Sequence, residues 1–209
     1  MYTEYIIHQE VINMVSASES TYQVEFNHHA YTLPVCQGAG GISLVKVDFI
    51  HNPYLMYDAA VEANRYMNHN ISNHIDIIVT PECRCITLAT QLAFMNGCQV
   101  IMLRKSLSAD EEQHPFWSGT YQSRTHNRPE HLYLTEDKAR MMAGKQVLVL
   151  DDVSSTGKTF IAIHNVLENV NVRASFFAIF DEDCEKDKQL ATLPSYYFLK
   201  TLPVPDYSE

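Results

Sequence analysis

Apolar residues follow two different rhythms in this chain, and the change comes near Asn52. Ahead of it, Ile6, Ile7, Val11, Ile12 and Val15 have helix-like spacing, weakly, over residues 1–20. Thr21 to Phe26 and Tyr31 to Val35 are β-rich runs around Asn27-His28-His29, which predicts a hairpin. Gly38, Gly40 and Gly41 then break the chain, and Ile42, Leu44, Val47 and Phe49 alternate imperfectly. A further strand is expected over 42–50, so residues 1–50 read as a small β-rich N-terminal appendage.

From Asn52 onward strands and helices alternate. Asn52-Pro53 signals a helix start, and Leu55, Ala59, Ala63 and Met67 recur every fourth residue, with Met56 and Ala60 beside them. Ile75 to Val79 predicts a buried strand. Cys83 to Asn96 predicts a helix with Leu88, Ala89, Leu92 and Ala93 inward and Gly97 as its C-terminal cap. Val100 to Leu103 and Val147 to Leu150 predict two more strands. A helix follows over 159–169, with Ile161, Ile163, Val166, Leu167 and Val170 apolar. Ser175 to Phe180 and Tyr196 to Leu199 complete five strands. This alternation predicts an α/β fold with a doubly wound, mostly parallel five-stranded sheet over 51–209. Ligands in such sheets sit beyond the C-terminal ends of the strands, so the informative residues directly follow them.

Residues 106–134 interrupt the alternation. They hold Pro115, Trp117, Gly119, Tyr121, Arg124, Arg128 and Pro129 among polar residues. A connection this long in a compact domain is usually functional or disordered. It reads as a mobile lid with short strands at Gly119–Arg124 and His131–Leu134.

Composition narrows the setting. The 209 residues are 46% hydrophobic, enough for one substantial core, with no apolar run near the roughly 18 residues of a membrane span. The N-terminus lacks the basic-then-apolar plan of a signal peptide. Five cysteines (36, 83, 85, 98, 184) lack zinc-finger spacing, which suits free thiols in a reducing cytoplasm. A formal net charge of −10 argues against sequence-independent nucleic-acid binding. The histidines include His28-His29, His69 and His74, but none forms a helical i, i+4 metal pair beside a carboxylate.

The most informative stretch is Val147 to Phe160. A buried strand leads to Asp151 and Asp152, then to Ser154, Ser155, Thr156, Gly157, Lys158 and Thr159, then to a helix. Such a unit aims backbone N–H groups and a helix N-terminus at one anion, most plausibly a phosphate. The tail Gly157-Lys158-Thr159 looks like an ATP-binding loop, but the first glycine of that loop is replaced by Asp152, whose carboxylate would repel nucleotide phosphates. Two other strand ends carry cations. Thr80-Pro81-Glu82-Cys83-Arg84-Cys85 suits a second anion through Arg84, and Arg104-Lys105 suits a diphosphate. Asp181-Glu182-Asp183 also lies at the ligand end, as a lining of the site or as a solvated acidic loop. Tyr133 and Trp117 have stacking and packing readings alike.

The string from Val147 to Thr159 resembles the phosphoribosyl-pyrophosphate motif of the type I phosphoribosyltransferases: an apolar strand, two acids, two variable residues, a small residue and a Thr-Gly-Gly/Lys-Thr tail, with Lys158 where adenine types mostly have glycine and hypoxanthine-guanine types have lysine. The resemblance covers about residues 75–180 and is nearest the adenine/purine branch. There the loop matching Glu82 and Arg84 holds pyrophosphate, although Cys85 replaces the usual glycine and would narrow the pocket. Arg104-Lys105 matches a purine-branch pair, and Leu132 to Val147 looks like the segment after the lid. The resemblance implies that Asp151 and Asp152 face the ribose hydroxyls, to which Mg²⁺ also binds, and that Val153 to Thr159 wrap the 5′-phosphate. It implies transfer of a phosphoribosyl group to a nucleobase with release of pyrophosphate, in a homodimer as is usual for this fold family; residues 1–50 do not match the family and read as an appendage that contributes to a hood. Glu82 is at the right loop for catalysis or only orients it. Ser155 stands where hypoxanthine-guanine enzymes carry an aspartate, which favours an adenine-like or divergent base. The alternatives are a phosphoribosyl-pyrophosphate-binding regulator without turnover, or an enzyme for another base such as orotate.

Overall fold

The computed structural model describes residues 20–37, 43–71, 74–82, 84–122 and 129–204. The helix expected over 1–20 therefore lies outside the described residues but for Ser20, as do Gly38, Gly40, Gly41, Cys83, Arg124 and Arg128.

Five parallel strands form the central sheet: β4 (Ile77–Pro81), β5 (Gln99–Leu103), β8 (Gln146–Ser154), β9 (Arg173–Glu182) and β10 (Tyr196–Leu202). Their order across the sheet is β10-β9-β8-β4-β5. Successive side chains of β8 and β9 point to opposite faces. Leu148, Leu150, Phe177 and Ile179 enter one core with α1 (Pro53–Asn70) and α2 (Ile86–Asn96). Val147, Val149, Phe176 and Ala178 enter a second core with α3 (Glu136–Met142) and α4 (Lys158–Leu167). The sheet is thus covered on both faces, as the near-continuous apolar strands require.

Local signals placed several elements well. Asn52 caps α1 by accepting the Leu55 N–H at 3.0 Å, and Gly97 ends α2 at φ 64°. The hairpin pairs β1 (Thr21–Phe26) with β2 (His29–Gln37), and its two turn residues, Asn27 and His28, adopt φ of 51° and 69°. That is the left-handed geometry a two-residue hairpin turn needs.

Other boundaries differ, each for a tertiary reason. The strand expected over 42–50 shortens to β3 (Ser43–Val45) on β2. Pro34, next along β2, has no N–H to continue the ladder, so Val47 and Phe49 are buried without being strand. The helix expected from Cys83 begins at Ile86. Most consequentially, β8 does not stop at Leu150. Pairing with β9 carries it on through Asp151↔Ala178 and Val153↔Phe180 to Ser154↔Asp181, so both acids are strand residues.

The insertion forms an antiparallel ribbon, β6 (Phe116–Gln122) and β7 (Pro129–Thr135), longer than expected. It lies on α4. A Cβ at Gly119 would sit 2.6 Å from the Ala162 carbonyl oxygen, so only glycine permits this approach. Leu132 and Leu134 are buried in the second core, and Arg104 bridges to Tyr133.

Candidate functional site

A cavity of about 460 Å³ opens at the C-terminal ends of β4, β5, β8 and β9, a size suited to a nucleotide-like ligand. Asp151 and Asp152 form its floor, at 9% and 7% exposure. Each carboxylate accepts the next backbone N–H, Asp152 N to Asp151 Oδ1 at 3.0 Å and Val153 N to Asp152 Oδ1 at 2.9 Å. Burial and the neighbouring Asp152 push the Asp151 carboxyl well above the usual range. The pair is therefore set to gain from a cation or hydroxyl donors. Among the described residues no three His, Cys, Asp or Glu side chains form a ready-made metal site. An oxygen-only pair of this kind suits Mg²⁺ held jointly with substrate oxygens.

Past the acids the chain turns sharply into α4. Gly157 makes the turn at φ +83°, with Leu190 packed against it so closely that a Cβ would lie 2.7 Å from Leu190 Cδ1. Val153, Ser154, Ser155, Thr156, Lys158 and Thr159 join it around the cavity, with the α4 N-terminus behind them. Lys186 braces this loop from outside. Its ammonium donates to the Ser155 and Glu182 carbonyls, each at 2.6 Å, and pairs with Asp181 at 2.9 Å. Asp187 N donates to the Thr156 carbonyl at 2.9 Å.

Opposite the loop, Arg84 and Lys105 line the cavity. Arg84 Nε lies 4.0 Å from Asp152 Oδ2, and Lys105 Nζ lies 3.2 Å from Glu130 Oε2. Glu82 ties these two strand ends together, its carboxylate accepting the Lys105 N–H at 2.9 Å and its own N–H bonding the Leu103 carbonyl at 3.0 Å. These bonds fix the end of β5 to the loop that carries Arg84. Arg104 does not join them: its guanidinium turns to Glu111 at 3.4 Å, outside the cavity lining. Cys85, expected to narrow the pocket, is buried at 1% exposure and also lies outside the lining. Burial and the two aspartates hold its thiol well above the ordinary range, so it is no nucleophile.

The remaining wall comes from elements the sequence left undecided. Tyr121 of β6 lines the cavity and is hydrogen-bonded to Thr159; burial and the Asp151 and Glu130 charges push its phenol up to about 12. Of Asp181-Glu182-Asp183, Glu182 is buried and lines the cavity. Asp181 is engaged by the Tyr196 hydroxyl and Lys186, and Asp183 is exposed. From the appendage, Cys36, Leu44, Val45, Lys46 and Val47 close the far side. Tyr133 packs against Phe116 and His131, and Trp117 packs on the second core, so neither lines the cavity. Lys186 and the appendage residues carried no sequence signal, because strand pairing and packing alone bring them here.

Residues 50–196 match the model of the phosphoribosyl transferase domain. The chain is 31% identical over 97 residues to a HGPRTase-like protein of Natronomonas pharaonis, spanning 46% of this chain and about half, 47%, of that relative. It is 29% identical over 153 residues to a hypoxanthine/guanine phosphoribosyltransferase of Methanotorris igneus, covering 73% and 76% of the two chains. Adenine phosphoribosyltransferase from Thermoanaerobacter pseudethanolicus superposes at TM-score 0.66 with 16% identity, over 81% of this chain and 95% of that one. The Giardia lamblia APRTase complexed with 9-deazaadenine gives the same TM-score of 0.66 at 15% identity, over 81% and 93%. At these identities the superpositions establish the fold.

Proposed function

Because this chain belongs to the phosphoribosyl transferase domain family, we propose that it transfers the phosphoribosyl group from phosphoribosyl pyrophosphate to a nucleobase, adenine or a related purine, releasing pyrophosphate. The observation that carries this reading is the meeting, in one cavity, of the Asp151-Asp152 pair, the Val153–Thr159 loop and the Arg84 and Lys105 cations. Three features of one substrate answer to three parts of the wall. The 5′-phosphate takes the loop N–H groups and the α4 N-terminus. The ribose hydroxyls donate to Asp151 and Asp152, which also stabilise positive charge developing on the sugar. The diphosphate lies toward Arg84 and Lys105, with Glu82 holding both strand ends in place. Arg104 serves only indirectly, by anchoring the ribbon base at Tyr133.

In the reaction the bond from C1 to the pyrophosphate oxygen breaks and its electron pair leaves with pyrophosphate. A ring nitrogen of the base bonds to C1 and passes its proton to water or to the departing pyrophosphate. Asp151 and Asp152 would hold Mg²⁺ together with the substrate, and the ion would supply neutralisation of the diphosphate charge. The β6–β7 ribbon, whose Tyr121 lines the cavity, shields that side from water, which would otherwise hydrolyse the donor. Names of relatives support a purine acceptor, hypoxanthine or guanine for the Methanotorris protein and adenine for the Thermoanaerobacter one. The reading includes a cytoplasmic homodimer. Phe94 on α2 and Tyr54 on α1, 84% and 79% exposed, supply large apolar side chains of the kind that subunit contacts cover.

The test is pyrophosphate release from phosphoribosyl pyrophosphate with Mg²⁺ over a panel of purines and orotate, repeated after Asp151→Asn and Asp152→Asn. Turnover with a purine, lost in both variants, is the expected result. Donor binding without turnover on any base would instead identify a non-catalytic receptor for the sugar diphosphate.

A further inference from the structure

The charged groups lining the cavity are sorted along the sheet. With strands ordered β10-β9-β8-β4-β5, the cations Arg84 and Lys105 follow β4 and β5, on one side of the acid pair that ends β8. Glu182 ends β9, on the other side. The phosphate loop leaves β8 toward α4, which occupies a third direction. Once the diphosphate lies toward the cations and the 5′-phosphate in the loop, the space beside Val153 and Glu182, under Leu44 to Val47, is left for the base.

Glu182 is built into that space. It is 5% exposed, within the paired part of the sheet opposite Leu202. Phe180, two residues earlier and so on the same face, packs edge-on against Phe26 of the appendage at 5.5 Å. The Glu182 carbonyl accepts the Lys186 ammonium at 2.6 Å, and the next N–H donates to the Leu202 carbonyl at 2.8 Å. The peptide that follows Glu182 is thus held at both its carbonyl and its N–H, which that of a solvated acidic loop would not be. Lys46, the single Lys or Arg of residues 21–50, also lines the cavity.

We propose that Glu182 is the specificity-determining residue of the base subsite and that, with Lys46, it selects an aminopurine over an acidic base. The inference rests on the phosphoribosyl-transfer reading. A carboxylate accepts hydrogen bonds and cannot donate them, so it favours an edge carrying an exocyclic amino group or a ring N–H. Lys46 supplies the complementary donor to a carbonyl oxygen or ring nitrogen beside that amino group. Adenine and guanine meet both demands. Hypoxanthine offers the carboxylate one donor fewer than guanine. Xanthine would turn a carbonyl oxygen toward Glu182, and orotate would bring a second carboxylate. Unpaired or like-charged groups in a buried site discriminate more strongly than a change of shape.

Calorimetric binding of AMP, GMP, IMP, XMP and OMP tests this without requiring turnover, with ribose 5-phosphate as the base-free control. AMP and GMP should bind on the order of 100-fold tighter than XMP and OMP. Glu182→Gln should narrow that gap about tenfold or more, while ribose 5-phosphate affinity stays the same. Equal binding of OMP or XMP by the unmodified protein overturns the proposal, whether or not the variant folds. An unchanged gap in folded Glu182→Gln overturns it too. In both cases ribose 5-phosphate still binds and the sugar assignment stands; failure of ribose 5-phosphate itself to bind would remove the phosphoribosyl reading and this inference together.

Discussion

Asp58, buried in α1, pairs with His29 Nδ1 of the hairpin at 2.6 Å. The Tyr31 hydroxyl donates to the same carboxylate, and so does Asn27 Nδ2 at 3.0 Å. Next along the helix, Glu62 accepts the Asn27 N–H at 3.0 Å and the Lys200 ammonium at 2.6 Å. Two acids of one helix thereby fasten the appendage to the sheet domain. Burial alone would raise the Asp58 carboxyl, but the bonds from Tyr31, Asn27 and His29 outweigh it and hold the group below the usual range. A carboxyl lowered on folding contributes stability above its ordinary value and loses it as pH falls through the lower, folded value. Asp58→Ala should therefore cost about 1–3 kcal/mol at pH 7 and progressively less as pH falls below the ordinary carboxylate range, read by urea unfolding along a descending pH series.

Asp151 predicts the opposite sign. Its carboxyl is raised on folding by burial and by Asp152, so ionisation in the unfolded chain draws the protein toward unfolding as pH rises above the ordinary carboxylate range. Below that range the penalty disappears. In chelator, Asp151→Asn should stabilise the fold at pH 7 by on the order of 1 kcal/mol, seen as a higher melting temperature, and leave the melting temperature unchanged near pH 3. The same variant should lose donor binding. A lower melting temperature at pH 7 would show that the acids are not in conflict.

Lys186 braces the phosphate loop through backbone carbonyls, so a change there acts on geometry. Lys186→Met should weaken ribose 5-phosphate binding roughly tenfold and cost about 1–3 kcal/mol of stability, since two carbonyls and Asp181 lose a charged donor. Isothermal calorimetry and thermal unfolding read the two effects separately. A stability loss with no change in affinity would mean that the loop holds its shape alone.

Gly157→Ala combines a left-handed backbone with a clash against Leu190. The backbone alone costs about 1–2 kcal/mol. Adding Leu190→Ala relieves the clash but not the strain, so the double variant should recover only part of the loss of ribose 5-phosphate affinity. Complete recovery would place the whole cost in packing.

The parts of the fold legible in the sequence were those specified locally. Asn52 capping α1, Gly97 ending α2 and the Asn27-His28 turn are each decided within a few residues. The motif from Asp151 to Thr159 is likewise contiguous, and its residues do meet in one cavity. What stayed hidden depends on partners distant in the chain. β8 continues through the acids because β9 pairs with it, and Arg104 turns from the cavity because its guanidinium pairs with Glu111, seven residues on. Glu182 looked like one of three interchangeable acids, and only the sheet register and the Tyr196 and Lys186 contacts of Asp181 set it apart.

The fastening at Asp58 and Glu62 has an evolutionary corollary. Everything assigned to the sugar, its phosphate and its diphosphate is carried by β4, β5, β8 and the α4 N-terminus, inside the sheet domain. The acceptor side is bounded largely by a separate three-stranded piece whose polar attachments to α1 are few. A lineage can therefore redraw the appendage, and with it the part of the acceptor side that lies beyond Glu182, without relearning how to hold the donor.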